Sequence, residues 1–284
     1  MSLPPPGPGA WTFERLQGYG RHVGPVWCHP DGEMALRIEP VHTNVSGRVH
    51  GGMAMGLVSM AMTQAAQRAA LAAHPGGHAT PLSYHGELID SAQVGDWVFA
   101  HTEVVRTTRT RVFVSAELRC GERTLMTASA VYQIEATALR PDRPGQTPAA
   151  LPAGHALRAP VDAFSAHVGA IHERRDEHGE PVGGLVVDSI HLDARGGDEM
   201  DTGMALMMAD LILGRRARTV SGSVCVTVGM GVMRLAPVRL GDALEIDSHT
   251  EGLHGDTVVV TGRFRVNGLP AMSVTSLWKM VEKK

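Results

Sequence analysis

The tripeptide His50-Gly51-Gly52 stands directly before a long apolar run that begins Met53-Ala54-Met55, and Asn44 stands six residues before the histidine. Two glycines are a costly start to a helix unless something must approach the backbone closely there. A helix N-terminus offers N–H groups that no helical carbonyl can satisfy, together with a partial positive charge. Glycine lets a carbonyl oxygen reach that backbone. An N–H aimed at an oxygen that turns into an oxyanion is worth roughly 2.7–4 kcal/mol when water is excluded. A second reactive group lies far along the chain: Asp210, within Met207-Met208-Ala209-Asp210-Leu211-Ile212. An acid among apolar neighbours is rarely buried without a partner or a task. Its carboxylate can attack a carbonyl carbon or activate a water, and both roles stay open. The structural alternative is an ion pair with Arg215 or Arg216.

These residues sit on a unit that is written twice. In the first half, Phe13–His22 is expected to be a short helix and Glu33–His42 a strand. Met53–Ala73 has the composition of a long helix, with no proline and one glycine. Strands are expected at Thr80–Leu88, Trp97–Val105, Arg111–Arg119 and Thr124–Ile134. The second half repeats the order: a helix at Phe164–His172, a strand at Gly184–Leu192 and a long helix at Gly203–Arg216. Strands then follow at Ser223–Met230, Ala243–Thr250, Thr257–Val266 and Ala271–Met280. A shift of 151 residues takes Phe13 to Phe164, Pro30 to Pro181, Gly32 to Gly183 and Gly52-Met53-Ala54 to Gly203-Met204-Ala205. A shift of 146 takes Gly95-Asp96 to Gly241-Asp242, Val112 to Val258 and Arg119 to Arg265. Between the copies, Thr137–Pro160 carries five prolines and little periodicity, which reads as a linker. The expected division is a flexible tail at 1–10, a first domain at 11–135, a linker at 136–160 and a second domain at 161–284.

A strand, then His-Gly-Gly, then a long helix, then a meander with a Leu240-Gly241-Asp242 turn resembles the hotdog fold. The likeness is greatest to acyl-CoA thioesterases of the phenylacetic-acid-degradation type. It covers nearly the whole chain in two copies. It implies an α+β fold of two tandem hotdog domains, each a long helix wrapped by antiparallel sheet, that form a pseudo-dimer within one chain. The family motif is an Asn or Gln six residues before the His, then His-Gly-Gly, then an acid nine residues after the His. Asn44, His50, Gly51 and Gly52 match its first part.

The departures are informative. Nine residues after His50 stands Ser59, not an acid; in the second copy the histidine position is Asp201 and the asparagine position Arg195, yet nine residues on stands Asp210. Nine residues at about 100° each carry a side chain roughly half a turn round the helix and on the order of 13 Å along it. One helix therefore cannot bring its own N-terminus and its own position-nine acid onto one small group. In hotdog dimers, as the resemblance implies, the acid of one unit faces the helix N-terminus of the other. Pairing Asn44, His50 and Gly51 with Asp210 assembles one complete site, and pairing Asp201 and Thr202 with Ser59 assembles an empty one. Family members often carry Ser or Thr four residues after the acid. Here that position is Gly214, while the acid-less copy has Thr63.

The resemblance implies hydrolysis of an acyl-CoA thioester to free acid and CoA, with coenzyme A entering as part of the substrate and no cofactor. Arg106 and Arg109, and the run Arg215-Arg216-Ala217-Arg218 beyond Asp210, are either solvated faces or contacts to the nucleotide phosphates, with Arg215 and Arg216 the expected binders; Gly52 joins the substrate-binding set. A non-catalytic acyl-CoA binder is the main alternative. A hydratase acting on an enoyl thioester is a further one, but its Asp-then-His loop pattern finds no good copy. No metal-ligand spacing appears among the fifteen histidines, nor a phosphate loop or serine elbow. The formal charge of -3, from 26 basic and 29 acidic residues, supplies no global field for nucleic acid or membrane. No apolar stretch reaches the roughly 18 residues a membrane helix needs. Three cysteines without metal or pairing pattern point to reduced thiols and a cytoplasmic protein. Double-hotdog chains are further expected to self-associate.

Overall fold

The computed structural model describes residues 5, 10–135, 149–167, 169–194 and 197–281. The first half runs β1 (Thr12–Glu14), a short helix α1 (Gly20–Val23), β2 (Val26–Cys28), β3 (Met34–Arg37) and the long α2 (Gly51–Ala73). It continues with β4 (His78–Leu88), β5 (Trp97–Thr107), β6 (Arg111–Cys120) and β7 (Arg123–Glu135). The second half repeats this as β8 (Ala156–Leu157), α3 (Ala163–His167), β9 (His172–Arg175), β10 (Pro181–Val186) and the long α4 (Thr202–Ser221). β11 (Val224–Arg234), β12 (Ala243–His254), β13 (Thr257–Val266) and β14 (Leu269–Val281) close it. Strand order is β1-β2-β3-β5-β6-β7-β4 and then β11-β14-β13-β12-β10-β9-β8, so the second half mirrors the first. The halves join edge to edge, β4 antiparallel to β11 with Gly86 opposite Met230. This is the expected α+β architecture of two tandem hotdog units.

Strand burial follows the two-residue period: along β13, Val258, Val260 and Phe264 face inward and their neighbours outward. The long helices obey a different rule. Met53, Met55, Leu57, Val58, Met60 and Met62 of α2 are all buried although they point in every direction. A helix that is apolar all round belongs in an interior; α2 is enclosed by its own sheet on one side and by α4 on the other. At the helix crossing, backbones approach very closely. A Cβ added to Gly52 would lie 2.9 Å from the Met207 Cα, so the second glycine of the tripeptide is required by packing.

The 151-residue shift holds at the long helices but not upstream of them. His50 and Asp201 are equivalent N-caps, their side chains accepting from the N–H of Gly52 and Gly203. Earlier, the turn closed by His29 N to Glu33 O matches the one closed by Asp176 N to Glu180 O, a shift of 147. Gly24 and Gly169 share a left-handed φ of 101° and 103°, a shift of 145. Phe13, Pro30 and Gly32 are therefore not the counterparts of Phe164, Pro181 and Gly183. Counting back from the paired glycines, Tyr19 corresponds to Phe164 and Gln17 to Asp162. The second half is longer by two residues in each of three connections, which a single offset hides.

Several boundaries also differ. The helix expected over Phe13–His22 is instead β1, where Phe13 packs on Trp27 at 5.3 Å, followed by the four residues of α1. The strand expected over Glu33–His42 stops at Arg37, because Pro40 lacks the N–H a ladder needs and opens a 3₁₀ turn over Pro40–His42. The strand expected to start at Gly184 starts at Pro181 and ends at Val186, before a similar turn over Ser189–His191. Residues 136–148 of the expected linker lie outside the described residues. The remainder is held against the second half: β8 pairs with β9, and His155 Nε2 lies 3.0 Å from Glu245 Oε1.

Candidate active site

α4 carries Asp210 at its middle, and the antiparallel packing of the two long helices brings that carboxylate to the start of α2. Asp210 Oδ2 accepts from the Gly52 N–H at 3.2 Å, and Oδ1 accepts from the Thr227 hydroxyl at 2.6 Å. His50 Nδ1 lies 3.3 Å from Asp210 Oδ2 and also accepts from Gly52 N at 3.1 Å. On its other side, His50 Nε2 lies 3.4 Å from Asp162 Oδ2. Asp210 is 8% exposed and His50 5%, so these polar groups satisfy one another rather than water. Gly51 is the first residue of α2, and its N–H is among those that no helical carbonyl can reach. A Cβ there would sit 3.4 Å from both Asp210 Oδ1 and Thr227 Oγ1. The bare backbone, the carboxylate and the hydroxyl thus face one small space.

That space opens into a cavity of about 560 Å³. One arm runs between α2 and the first sheet, lined by Met53, Leu57, Val98, Leu118 and Leu125. The other follows α4 past Leu211 and Gly214 to Trp278. Arg48, Arg218 and Lys279 also line it.

The structure brings together Asp210, Gly51, Gly52 and His50 from the residues named in the sequence. Asn44 lines the cavity, but its Oδ1 accepts from Ser46 N, Ser46 Oγ and Arg48 N, so it shapes its own loop. The arginines expected to bind substrate are elsewhere. Arg215 pairs with Glu173, and Arg216 with Glu180 and Thr250; both project onto their own sheet. Arg106 lies exposed on β5. The Arg109 carbonyl meets His74 just past the end of α2, and 23 residues at 1.5 Å each put that end roughly 34 Å from Gly51.

Three residues were missed. Thr227 supplies the hydroxyl that Gly214 lacks, from β11 next to an irregularity in its pairing with β14. Gly214 is needed for a different reason: a Cβ there would be 2.7 Å from the Trp278 ring. Asp162 and Phe164, the latter with its ring 5.2 Å from that of His50, come from the turn that opens α3. Arg218, part of the charge run after Asp210, lies four and eight residues after Gly214 and Asp210 and so shares their face of α4.

The complementary site is filled. Asp201 accepts from its own Gly203 N–H at 2.7 Å, Ser59 is buried, and Tyr19 packs between them against Gly56 and Gly203. The Tyr19 hydroxyl has no hydrogen-bond partner among the described residues. Burial first, and then Asp201 and Asp210, push its phenol well above the usual tyrosine range. Arg195 lies outside the described residues.

Residues 46–127 match the family model described as the thioesterase superfamily. A Pseudomonas aeruginosa protein named as a candidate esterase is 31% identical over 116 residues, which span 39% of this chain and 84% of that protein. The chain belongs to the thioesterase superfamily. The family match takes in His50-Gly51-Gly52 and ends before Asp210, so it reaches only one wall of this site. The fold extends the likeness to both halves. The tesB protein of Mycobacterium avium subsp. paratuberculosis superposes with a TM-score of 0.64 at 14% identity, covering 93% of this chain and 100% of that one. Acyl-CoA thioesterase II of Mycobacterium marinum gives 0.65 at 11%, covering 93% and 97%. A hot dog fold protein of unknown function from Alicyclobacillus acidocaldarius gives 0.64 at 16%, covering 90% and 95%. Among the described residues, no helix is long and apolar enough to cross a membrane.

Proposed function

We propose that this chain hydrolyses an acyl-CoA thioester at one composite site, built from α2 of the first half and α4 of the second. The observation that carries this reading is the Asp210 carboxylate lodged against the N-terminus of α2, fixed through Oδ2 by Gly52 and through Oδ1 by Thr227. The thioester oxygen is received at Gly51, where the helix end stabilises the charge that develops on it. Asp210 takes a proton from water. Because both its oxygens are already hydrogen-bonded, the carboxylate is better held for that role than for attack, which would break the Thr227 bond. The aliphatic arm lined by Met53, Leu57, Val98, Leu118 and Leu125 takes the acyl chain. Arg48, Arg218 and Lys279 offer positive charge to the phosphates of coenzyme A.

The reaction calls only for water besides the substrate. The three free cysteines favour a reducing compartment, the cytoplasm. The partly exposed Val224, Val226, Leu277 and Val281 on neighbouring β11 and β14 favour pairing of chains through that outer face.

The test is release of free thiol from acyl-CoA substrates of increasing chain length, with acyl-carrier-protein thioesters and simple oxygen esters as comparators. Turnover confined to a window of aliphatic acyl-CoA lengths is the expected result. Tight acyl-CoA binding without thiol release would overturn hydrolysis in favour of a binding protein.

A further inference from the structure

His50 is flanked by two carboxylates, both contributed by the second half. Nδ1 is 3.3 Å from Asp210 Oδ2 and Nε2 is 3.4 Å from Asp162 Oδ2, and all three side chains are less than a tenth exposed. Because Nδ1 accepts from the Gly52 N–H, the neutral ring carries its proton on Nε2, facing Asp162. Asp162 is itself held in place. Its Oδ1 accepts from Ser165 N at 2.8 Å, and Ser165 Oγ accepts in return from Asp162 N at 3.0 Å and Val161 N at 3.1 Å. The Phe164 ring packs on the imidazole. Arg158 also acts on Asp162, and Tyr19 on Asp210. In the other half the counterparts of Asp162 and Phe164 are Gln17 and Tyr19, and the counterpart of His50 is Asp201. A carboxylate behind a histidine is thus present at the site with Asp210 and absent from the filled one.

We propose that Asp162 is a positioning residue of this site, keeping the His50 proton on Nε2 so that Nδ1 stands beside Asp210 as an acceptor. This rests on the hydrolytic reading above. The O–H bond of the attacking water breaks, its oxygen bonds to the thioester carbon, and its proton passes to Asp210 Oδ2 and on to His50 Nδ1. The ring is then an imidazolium whose Nε2–H faces the Asp162 carboxylate. When the C–S bond breaks, the sulfur leaves with the electron pair and recovers that proton through Asp210. Asp162 stays ionised throughout. The logic is that of a serine–histidine–aspartate triad, where the buried acid fixes the tautomer and supports the cation that forms.

Asp162→Asn separates this role from simple packing. The amide oxygen can still accept from Ser165 N, while the amide N–H₂ now faces Nε2 and demands an acceptor there, which drives the ring proton to Nδ1. The ring is read by ¹⁵N NMR on histidine-labelled protein, its signals identified by their loss in His50→Gln. The expected result is transfer of the proton from Nε2 to Nδ1, a fall in kcat of about 10²-fold or more with KM held within about twofold. Asp162→Ala serves as a second variant and should leave a mixture of tautomers with a reduced kcat. An unchanged tautomer in both variants, or a moved proton with unchanged kcat, overturns the proposal. If the unaltered chain releases thiol from no substrate, the hydrolytic reading fails by itself, and the NMR measurement still decides whether Asp162 governs the His50 proton.

Discussion

Replacing Asp210 by Asn removes the carboxylate in contact with both Gly52 and Thr227 while changing almost no volume. As a general base Asp210 should account for about 10²–10⁴ in rate, or about 2.7–5.4 kcal/mol at 1.36 kcal/mol per decade. The fold should survive the change. Asp210 accepts one bond from Gly52 N and one from Thr227 Oγ1. An amide can keep the Gly52 bond with its oxygen and offer its N–H₂ to Thr227 once that hydroxyl rotates to accept. Losing charge assistance costs about 1–2 kcal/mol, and relief of a buried charge offsets part of it. For a chain of this size the melting temperature should therefore move by only about 2–4 °C. Thr227→Val should lower kcat by about tenfold, because Oδ1 loses its anchor but the base remains. Asp201→Asn and Ser59→Ala, at the filled site, should leave kcat within about twofold. The assay is thiol release under saturating substrate, with melting curves alongside. Asp210→Asn within threefold of the unaltered chain, or Asp201→Asn as damaging as Asp210→Asn, would refute the composite site.

Gly214→Ser places a hydroxyl where the family resemblance expects one, four residues after the acid, yet it should give no rate gain; its Cβ would press into Trp278 at 2.7 Å, so the melting temperature should drop by several degrees. Tyr19→Phe deletes a buried hydroxyl that has no partner among the described residues and should stabilise the fold by about 1 kcal/mol in denaturant titration. Alkylation at pH 8 should label Cys120 first and Cys28 least, since burial and then Glu14 push the Cys28 thiol up to about 11. Coenzyme A should slow labelling of Cys225, which lines the cavity, and leave Cys120 unaffected; equal slowing of both, read by mass spectrometry, would argue against the cavity as its site.

The long helices and eight main strands were legible because composition and punctuation agree there: a β-branched run in β13, a largely apolar run in α2, glycine-aspartate turns at Gly95 and Gly241. The short N-terminal pieces of each half were not. Phe13 satisfies a helical pattern as well as a strand, and its pairing with Trp27 across β1 and β2 decided the outcome. Of the site, the His50-Gly51-Gly52 and Asp210 pairing could be argued because helix geometry forbids one helix from supplying both, and the family resemblance implies that the acid of one unit faces the helix N-terminus of the other. Thr227 could not be read, since a strand threonine gains its meaning only from the irregular register that places it over Asp210. Asp162 was hidden by a repeat alignment out of step by six residues, which matched Phe164 to Phe13 rather than to Tyr19. Arg215, Arg216 and Arg218 drew attention alike as a charge run, and only the helical face defined by Asp210 and Gly214 separates Arg218 from the other two.

Fusing the two units within one chain changes what a single substitution does. In a two-fold pair of identical subunits, every replacement is written into both sites and onto both walls of each, so a gain on one wall must be tolerated on the other. Here Leu57 belongs to one arm of the cavity and to no second copy of it, Thr227 holds one carboxylate, and Tyr19 fills one site while Phe164, at the same place in the other half, packs on the His50 ring. The depth of the aliphatic arm, the grip on Asp210 and the charge at the mouth can each be altered alone. Cutting the chain would undo this: a self-pair of the first half would set Gly51 against Ser59, and a self-pair of the second would set Asp210 against Asp201, carboxylate against carboxylate. The two halves are tied by their unlike residues as well as by the β4–β11 seam.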